Sequence, residues 1–424
     1  MPVTSNGPTQ LSSARIRFAL LALALGGFAI GATEFVAMGL LPNLASDLLP
    51  DVFASNQEHA TAQAGWLISA YALGVVVGAP TIAASAARWP RKKLLLVLLT
   101  AFTVGTIASA LLPTFGLVLV ARFISALPHG AYFGIASLVA ADLMGPGKRA
   151  RGVAFVLSGL TISNVIGVPT ITWLGQVAGW RIAYLAVALI FAATFVAVLL
   201  AVPFQAGNPA ASMRNELRAF GRAQVWFALS IGAIGFGGLF AVYSYISPMV
   251  TEVTGLSVGA VPLVLIVIGL GMTVGNFVGG WGADRSVRRS MYAFFVVLIV
   301  ALVALGLTAH TVPGLLVSVF LIGGAASALS PTIQTRLMDV AHDSQSIAAA
   351  LNHSALNIGN ALGAFLGGIV ISAGFGYVAP VWVGVGLSVL GSILATASFL
   401  LDRKRRRNGV PVPYGTQGIR TITG

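Results

Sequence analysis

Residues 275–289 read GNFVGGWGADRSVRR, and residues 78–92 read GAPTIAASAARWPRK. Laid one on the other, Gly275 falls on Gly78, Arg285 on Arg88, Arg288 on Arg91 and Arg289 on Lys92, and one turn earlier Gly271 falls on Gly74. Each stretch is the end of an apolar run that closes on a basic patch. Small residues at a four-residue interval lie on one helix face and let a neighbouring helix approach closely. A basic patch at the end of such a run is what holds that end on one side of a bilayer. The same device occurs twice, so the chain reads as two related halves.

Other runs repeat in the same sense. Ser158, Leu160, Ile162, Asn164 and Gly167 match Ser354, Leu356, Ile358, Asn360 and Gly363, and more weakly Gly26, Gly31 and Pro42 match Gly232, Gly237 and Pro248. Parallel repeats related by an axis along the membrane normal are an architecture of secondary transporters, with the substrate path between the halves.

Composition agrees. Of 424 residues only 8% are charged and 57% are hydrophobic, against about one quarter charged in a typical soluble domain. A spanning helix takes about 20 mainly apolar residues. Hydropathy places spans near 18–41, 64–86, 94–112, 115–141, 152–174 and 181–203, then 225–249, 259–282, 290–309, 313–334, 347–372 and 377–401. The expected organisation is a tail 1–17, a six-helix half 18–203, a linker 204–224, a second half 225–401 and a basic tail 402–424 expected to be disordered. The first run follows Arg15 and Arg17 as a signal peptide would, but it is too long and lacks a small-residue cleavage site, so it reads as a retained helix.

The net charge of +13 raises nucleic acid as a partner, yet the basic residues sit in small groups at the ends of apolar runs, which is a topology signal. With both termini inside, only Arg122 and Arg181 of the 24 basic residues fall away from the cytoplasmic side. The expectation is a multi-pass protein of the cell (inner, cytoplasmic) membrane with both termini cytoplasmic, embedded in lipid and not bound to nucleic acid. The chain has no cysteine, which excludes disulfides, zinc–thiolate sites and cysteine nucleophiles. The spans offer no cluster of His, Asp or Glu and no activated Ser, so neither an enzyme nor a metal site is expected, and no cofactor. The short tail leaves no room for the soluble domain that a receptor usually carries.

Ionisable residues at membrane depth are costly, and such residues mark functional sites by default. Few are present: Glu34 on the first span, Arg122 and His129 on the fourth, and His353 on the eleventh. Counting rise per residue puts Glu34 and Arg122 each about 12 Å inside the outer face. His129, seven residues after Arg122, returns to nearly the same face about 10 Å deeper. Two readings stand: Glu34 takes and releases a proton beside Arg122 and His129, or Glu34 and Arg122 form a permanent ion pair that orders two helices. For His129 and His353 a hydrogen-bonded packing role competes. Tyr71, Tyr132, Tyr243, Tyr245, Gln334, Asn357 and Asn360 are candidates to line a substrate cavity, since rings with scattered hydrogen-bonding groups suit an amphipathic organic molecule; Asn164 also borders the path.

The run at 275–289, with Gly280, Asp284, Arg285, Arg288 and Arg289, resembles the Gly-x-x-x-Asp-Arg-x-Gly-Arg-Arg loop of the major facilitator superfamily, with Val287 in place of the last Gly. The first-half copy keeps Arg88, Arg91 and Lys92 but has Ala87 where Asp284 stands. Asp284 is expected to latch the cytoplasmic face closed by contacting the start of the fifth helix near Arg151; ordinary topogenic charge is the alternative. The run SGLTISNVIGVPTITWLGQVAGWR, with Gly159, Asn164, Gly167, Pro169 and Gly175, resembles the glycine and proline motif of the superfamily's proton-coupled exporters, with Val168 inserted between its Gly and Pro. Close packing and a bend are what those residues permit.

Across 18–401 the chain resembles the twelve-span drug:proton antiporter group of the superfamily, near the arabinose-efflux-permease-like and chloramphenicol-resistance-type exporters. The resemblance implies an all-α membrane protein of twelve helices in two pseudo-symmetric halves that works as a monomer by alternating access. It implies proton-driven efflux of a small organic compound, a drug such as chloramphenicol or a sugar, and links the fourth-helix Arg122 to proton movement. Uptake or exchange of a nutrient such as a sugar or nucleoside is the rival use of the same fold.

Overall fold

The computed structural model describes residues 12–86, 89–145, 147–206, 223–341 and 345–407, with the side chains of 83–86, 150, 341, 345–350 and 404–407 excepted. Ala87 and Arg88, most of the expected linker and most of both expected tails lie outside the described residues. Among the described residues eleven helical runs are long and apolar enough to cross a membrane. The longest, Val261–Thr308, is divided by extended backbone at Ser286 (φ −167°, ψ 102°), which makes two spans of one and gives twelve.

The spans are α1 (Ser13–Gly39), α2 (Trp66–Ala86), α3 (Arg91–Leu111) and α4 (Phe115–Ala126, resuming as His129–Met144). Then follow α5 (Arg149–Ile162, continued through a π turn Ser163–Gly167 into Val168–Ala178) and α6 (Trp180–Ala201). The second group is α7 (Ala223–Tyr243), α8 (261–285), α9 (287–308), α10 (Val312–Ala341), α11 (Gln345–Val370) and α12 (Ala379–Arg407). Large apolar side chains such as Leu189 and Phe277 stand largely exposed on the outside of the bundle. On a soluble protein such a surface would aggregate; here it is the face that meets lipid tails.

Within the first group α1 packs on α5 and α6, α2 on α4, and α3 on α6; within the second α7 packs on α11 and α12, and the α8–α9 helix on α10. The repeat recurs in atomic detail. A Cβ placed on Gly74 would lie 2.3 Å from the Phe123 carbonyl oxygen, and one on Gly271 would lie 2.2 Å from that of Phe320. One turn on, Gly78 meets the Leu127 oxygen at 2.0 Å and Gly275 meets the Gly324 oxygen at 2.0 Å. This register sets Phe320 in the place of Phe123, so Val319 takes the place of Arg122 in the second half.

Two features depart from the sequence reading. Between α1 and α2 the chain folds into three short helices, Leu41–Leu48, Pro50–Ser55 and Gln57–Ala64, the first two with Pro in their first turn, where its missing N–H is of no consequence. The α8–α9 connection is not a multi-residue loop but a kink at the single residue Ser286, where extended backbone separates two helices.

The two groups of six meet through α2 against α11 and α5 against α8. Gly269 of α8 is set so close to α5 that a Cβ there would lie 2.4 Å from the Asn164 carbonyl oxygen. On the face opposite the chain termini the join is sealed. Gln176 Nε2 donates to the Val258 carbonyl (3.1 Å), Gly39 lies against Leu265, and Gly65 and Gly368 enclose the Tyr245 hydroxyl from the two sides.

Candidate functional site

At the middle of this join lies a buried polar cluster, and its parts can be built helix by helix. α1 carries Thr33 and Glu34, α2 carries Ser69 and Tyr71, α4 carries Arg122 and His129, α6 carries Tyr184, and α11 carries His353, Asn357 and Asn360. Arg122 is 1% exposed and Glu34 5% exposed.

Arg122 does not pair with Glu34; among the described residues no ion pair joins them. Its Nη1 donates to the Thr33 carbonyl at 2.9 Å and lies 3.4 Å from Thr33 Oγ1. The guanidinium lies over the Tyr71 ring at 4.2 Å and faces the Tyr184 ring at 5.5 Å. Two aromatic faces thus provide the negative potential that a desolvated cation needs. The permanent ion pair weighed above is absent from this arrangement. Arg122 is instead held by the backbone one residue before Glu34, close enough for its charge to act on the carboxyl.

Glu34 reaches the other half. Its Oε1 accepts from Asn360 Nδ2 at 3.4 Å, and next to it Ser69 Oγ donates to the Ala361 carbonyl at 3.2 Å. Phe35 stacks on Phe240 (6.4 Å between ring centres) and on Tyr243 (5.6 Å), closing the seam above the carboxyl.

His129 hangs below Arg122 as the spacing predicts, and Tyr71 joins them. The Tyr71 hydroxyl is 3.3 Å from His129 Nδ1 while its ring carries the guanidinium. Across the seam His353 lies 6.4 Å from His129, ring centre to ring centre, and stacks on Phe133 at 5.5 Å with the planes 4° apart. The inward polar track expected on α4 therefore exists, but its continuity depends on α2 and α11.

The candidate cavity residues separate. Tyr71 and Asn360 belong to the cluster. Asn357 sits between His353 and Asn360, its Nδ2 donating to the His353 carbonyl at 3.1 Å. Tyr132 turns away, its hydroxyl donating to the Leu23 carbonyl at 2.9 Å in the space left by Gly26. Tyr245 is at the sealed end, donating to the Ala364 carbonyl at 2.6 Å. Gln334 is half-buried on α10. In the α5 motif Gly159 lies against the Ala24 carbonyl, Gly167 against the Phe28 ring and Gly175 against Leu40. These three press α5 onto α1, and Pro169 falls in the first turn of the helix that follows the π segment. Thr33, Ser69 and Tyr184 were not singled out from sequence, since an uncharged residue in an apolar span gives no signal until its neighbour is known.

At the face bearing the termini the charges are arranged half by half. Asp142, at the end of α4, pairs with Arg91 and with Arg149 (3.0 Å to the latter). Arg336, counted above as a topogenic charge, is buried: it pairs with Asp402, reaches Gln224 Oε1 and Ser398 Oγ at 3.2 Å each, and lies 5.2 Å from the Phe399 ring. Lys92 Nζ donates to the Leu199 carbonyl at 2.8 Å. Arg285 lies over Trp281 at 3.6 Å, and Arg288 faces Tyr292 and Phe399; Arg289 is exposed. Asp284 is exposed, and its expected contact with Arg151 is not made among the described residues in this state. On the opposite face Arg181 pairs with Asp47 (3.0 Å) and donates to the Ala110 and Leu112 carbonyls, which accounts for a basic residue outside the main charge pattern.

Twelve apolar helices in two repeated groups, with a cluster of buried ionisable groups at the join between them, define a polytopic membrane transporter. The sequence profile described as Major Facilitator Superfamily matches residues 23–345 and 229–423. The chain belongs to that superfamily. It is 38% identical over 387 residues to the Inner membrane transport protein YdhP of Escherichia coli (strain K12), covering 91% of this chain and 95% of the relative. It is 32% identical to the Chloramphenicol resistance protein of Streptomyces lividans, covering 90% of this chain and 95% of that one. The Putative transporter AraJ of Escherichia coli (strain K12) is 30% identical, with 93% and 97% covered. Among solved structures, a bacterial homolog of the human lysosomal transporter Spinster, inward-facing and occupied, superposes with a TM-score of 0.74 over 96% of this chain and 100% of that one at 17% identity. A D-xylose-proton symporter gives 0.71 over 95% and 100%, also at 17%. At that identity the structures speak for the fold.

Proposed function

We propose that the protein is a proton-coupled exporter of a small organic compound, working as a monomer by alternating access in the inner membrane with both termini in the cytoplasm. The observation that carries this is Glu34: a carboxyl buried at the join, near a cation but not bonded to it, and tied to the opposite half by one amide. A carboxyl in a direct ion pair gains little from changing its charge. One held this way can lose and regain a proton, and each change alters a contact between the halves.

With the termini inside, the sealed face is the outer one, so the arrangement described is closed to the outside. A carboxyl that releases its proton inward in this state, and takes one up when the outer face opens, couples the inward proton gradient to outward movement of substrate. The Tyr71–His129 pair extends from the cluster toward the cytoplasm. The chloramphenicol resistance relative points to an amphipathic organic substrate, and the aromatic surround of Phe35, Phe240 and Tyr243 is suited to one. Asp284 is read as a latch for the cytoplasmic face that engages in the opposite, inward-closed state; here it is exposed.

The test uses inverted vesicles with an imposed pH gradient and labelled chloramphenicol. Wild-type vesicles are expected to accumulate it and Glu34→Gln vesicles to lose gradient-driven accumulation while retaining exchange at equal pH. Gradient-driven accumulation unchanged by Glu34→Gln removes the coupling role, and movement of a sugar or nucleoside down the opposite direction favours nutrient uptake.

A further inference from the structure

The second half has no acidic residue in the cluster, yet something in it must register the charge on Glu34 if protons are to drive its movement. α11 presents one polar stripe to the first half: His353, Asn357 and Asn360, spaced four and three residues apart and so on one helix face. Each end of the stripe meets a named ionisable group, His353 facing His129 and Asn360 bonded to Glu34.

Asn360 is the sharper of the two. Its side chain is 1% exposed, its Nδ2 donates to Glu34, and its Oδ1 has no hydrogen-bond partner among the described residues. A buried amide with one end free is two-sided. With Glu34 ionised, Nδ2 is the matching donor; with Glu34 protonated, the free Oδ1 can accept the carboxyl hydrogen after the amide turns over. The neighbouring Ser69 to Ala361 bond fixes the backbone of α11 at the same level, so the amide turns without the helix leaving its place. The two bonds are not equal, since a hydrogen bond to an ionised group is roughly twice as strong as a neutral one.

We propose that Asn360 is the positioning residue through which the second half responds to the charge on Glu34, holding the outer face shut most firmly while the carboxyl is ionised and loosening its grip when a proton arrives. The proposal rests on Glu34 being the proton-carrying group. The proton itself stays on Glu34 throughout; Asn360 exchanges only the sense of its hydrogen bond. The titratable and charged groups around the carboxyl are Arg122 on α4, Tyr71 on α2 and Tyr243 on α7, with His129 beyond Tyr71 and His353 on α11. Arg122 is common to wild type and variants, and the histidines are reached only through Tyr71 or two turns further along α11.

The experiment needs no substrate. The chain has no cysteine, so spin labels can be placed at Asp51→Cys and His310→Cys, exposed positions on the outer face of the two halves, and the distance between them followed by pulsed electron resonance from pH 5 to 9 in nanodiscs. Wild type is expected to pass from a short to a longer distance as pH falls. Glu34→Gln, whose neutral amide can still bond Asn360, is expected to lose the pH response. Asn360→Leu is expected to lose it as well and to show the longer distance at every pH, with the ratio of closed to open molecules reduced at least about tenfold, as loss of one charge-assisted bond implies. Asn360→Asp is the control for mere structure: it can donate to Glu34 only while one of the two carboxyls holds a proton, so the short distance should return at acid pH and vanish at alkaline pH, reversing the wild-type trend. A pH response in Asn360→Leu equal to wild type, with Glu34→Gln flat, overturns the role of Asn360 alone. No pH response in wild type, or one that survives Glu34→Gln, overturns the reading of Glu34 and this inference with it.

Discussion

The glycines of the α2–α4 and α8–α10 contacts allow a test of the repeat with a magnitude set by geometry. At Gly78 and at Gly275 a Cβ would lie 2.0 Å from a backbone oxygen of the facing helix. Ordinary contact begins near 3.4 Å, so Ala at either site must drive two helices apart by roughly 1.4 Å or bend one of them. Neither obstacle is a flexible side chain. Overpacking of this kind costs about 1–3 kcal/mol, and in a chain of this size each kcal/mol lowers a melting temperature by roughly 2 °C. The expected loss is therefore about 2–6 °C for Gly78→Ala and about the same for Gly275→Ala, because the two contacts are one contact repeated. Gly134→Ala and Gly280→Ala are the controls: a Cβ there meets nothing within 4 Å, and Ala is the better helix former by nearly 1 kcal/mol. Thermal denaturation in detergent, read as the monodisperse fraction after heating, measures all four. If Gly78→Ala and Gly275→Ala melt with their controls, the close approach is not part of the fold; if only one of them is costly, the halves are not packed by the same rule.

At the outer face, Gly65→Val should wedge the seam, since its Cβ would lie 2.3 Å from the Tyr245 hydroxyl; the Asp51–His310 label pair should report the longer distance, and adding Tyr245→Phe should partly restore the shorter one by removing the obstructing oxygen, a result not expected if Gly65 acts only through its own helix. At the cytoplasmic face, labels at Lys148→Cys and Arg289→Cys should show a closed population under conditions that open the outside, and Asp284→Asn should reduce it severalfold; an unchanged distribution would leave Asp284 as topogenic charge and no more.

The fold was legible in the sequence because a bilayer constrains a chain in one dimension. Spans must be about 20 apolar residues long whatever packs beside them, so α1 to α12 follow from hydropathy, and the repeat of Gly74 and Gly78 in Gly271 and Gly275 follows from lining up two stretches of text. The ionisable residues at depth were equally visible, since Glu34, Arg122, His129 and His353 stand out against an apolar background. What each of them touches was not. Charge and depth alone pointed Glu34 toward Arg122, and rise per residue cannot tell which way a helix is turned about its axis. Tertiary packing made that choice: it gave Arg122 the Thr33 carbonyl and the faces of Tyr71 and Tyr184, and it gave Glu34 an amide from the other half. The same holds for Arg336, a topogenic charge in one dimension and the centre of a buried cluster with Asp402 in three. Sequence by itself determined that this chain crosses the membrane twelve times in two copies of one plan and carries a handful of buried charges. Only the tertiary structure decided which charges find their partners within one half and which reaches across to the other, because that depends on helix rotation and on contacts between residues more than 300 apart in the chain, such as Glu34 and Asn360 (326 residues apart).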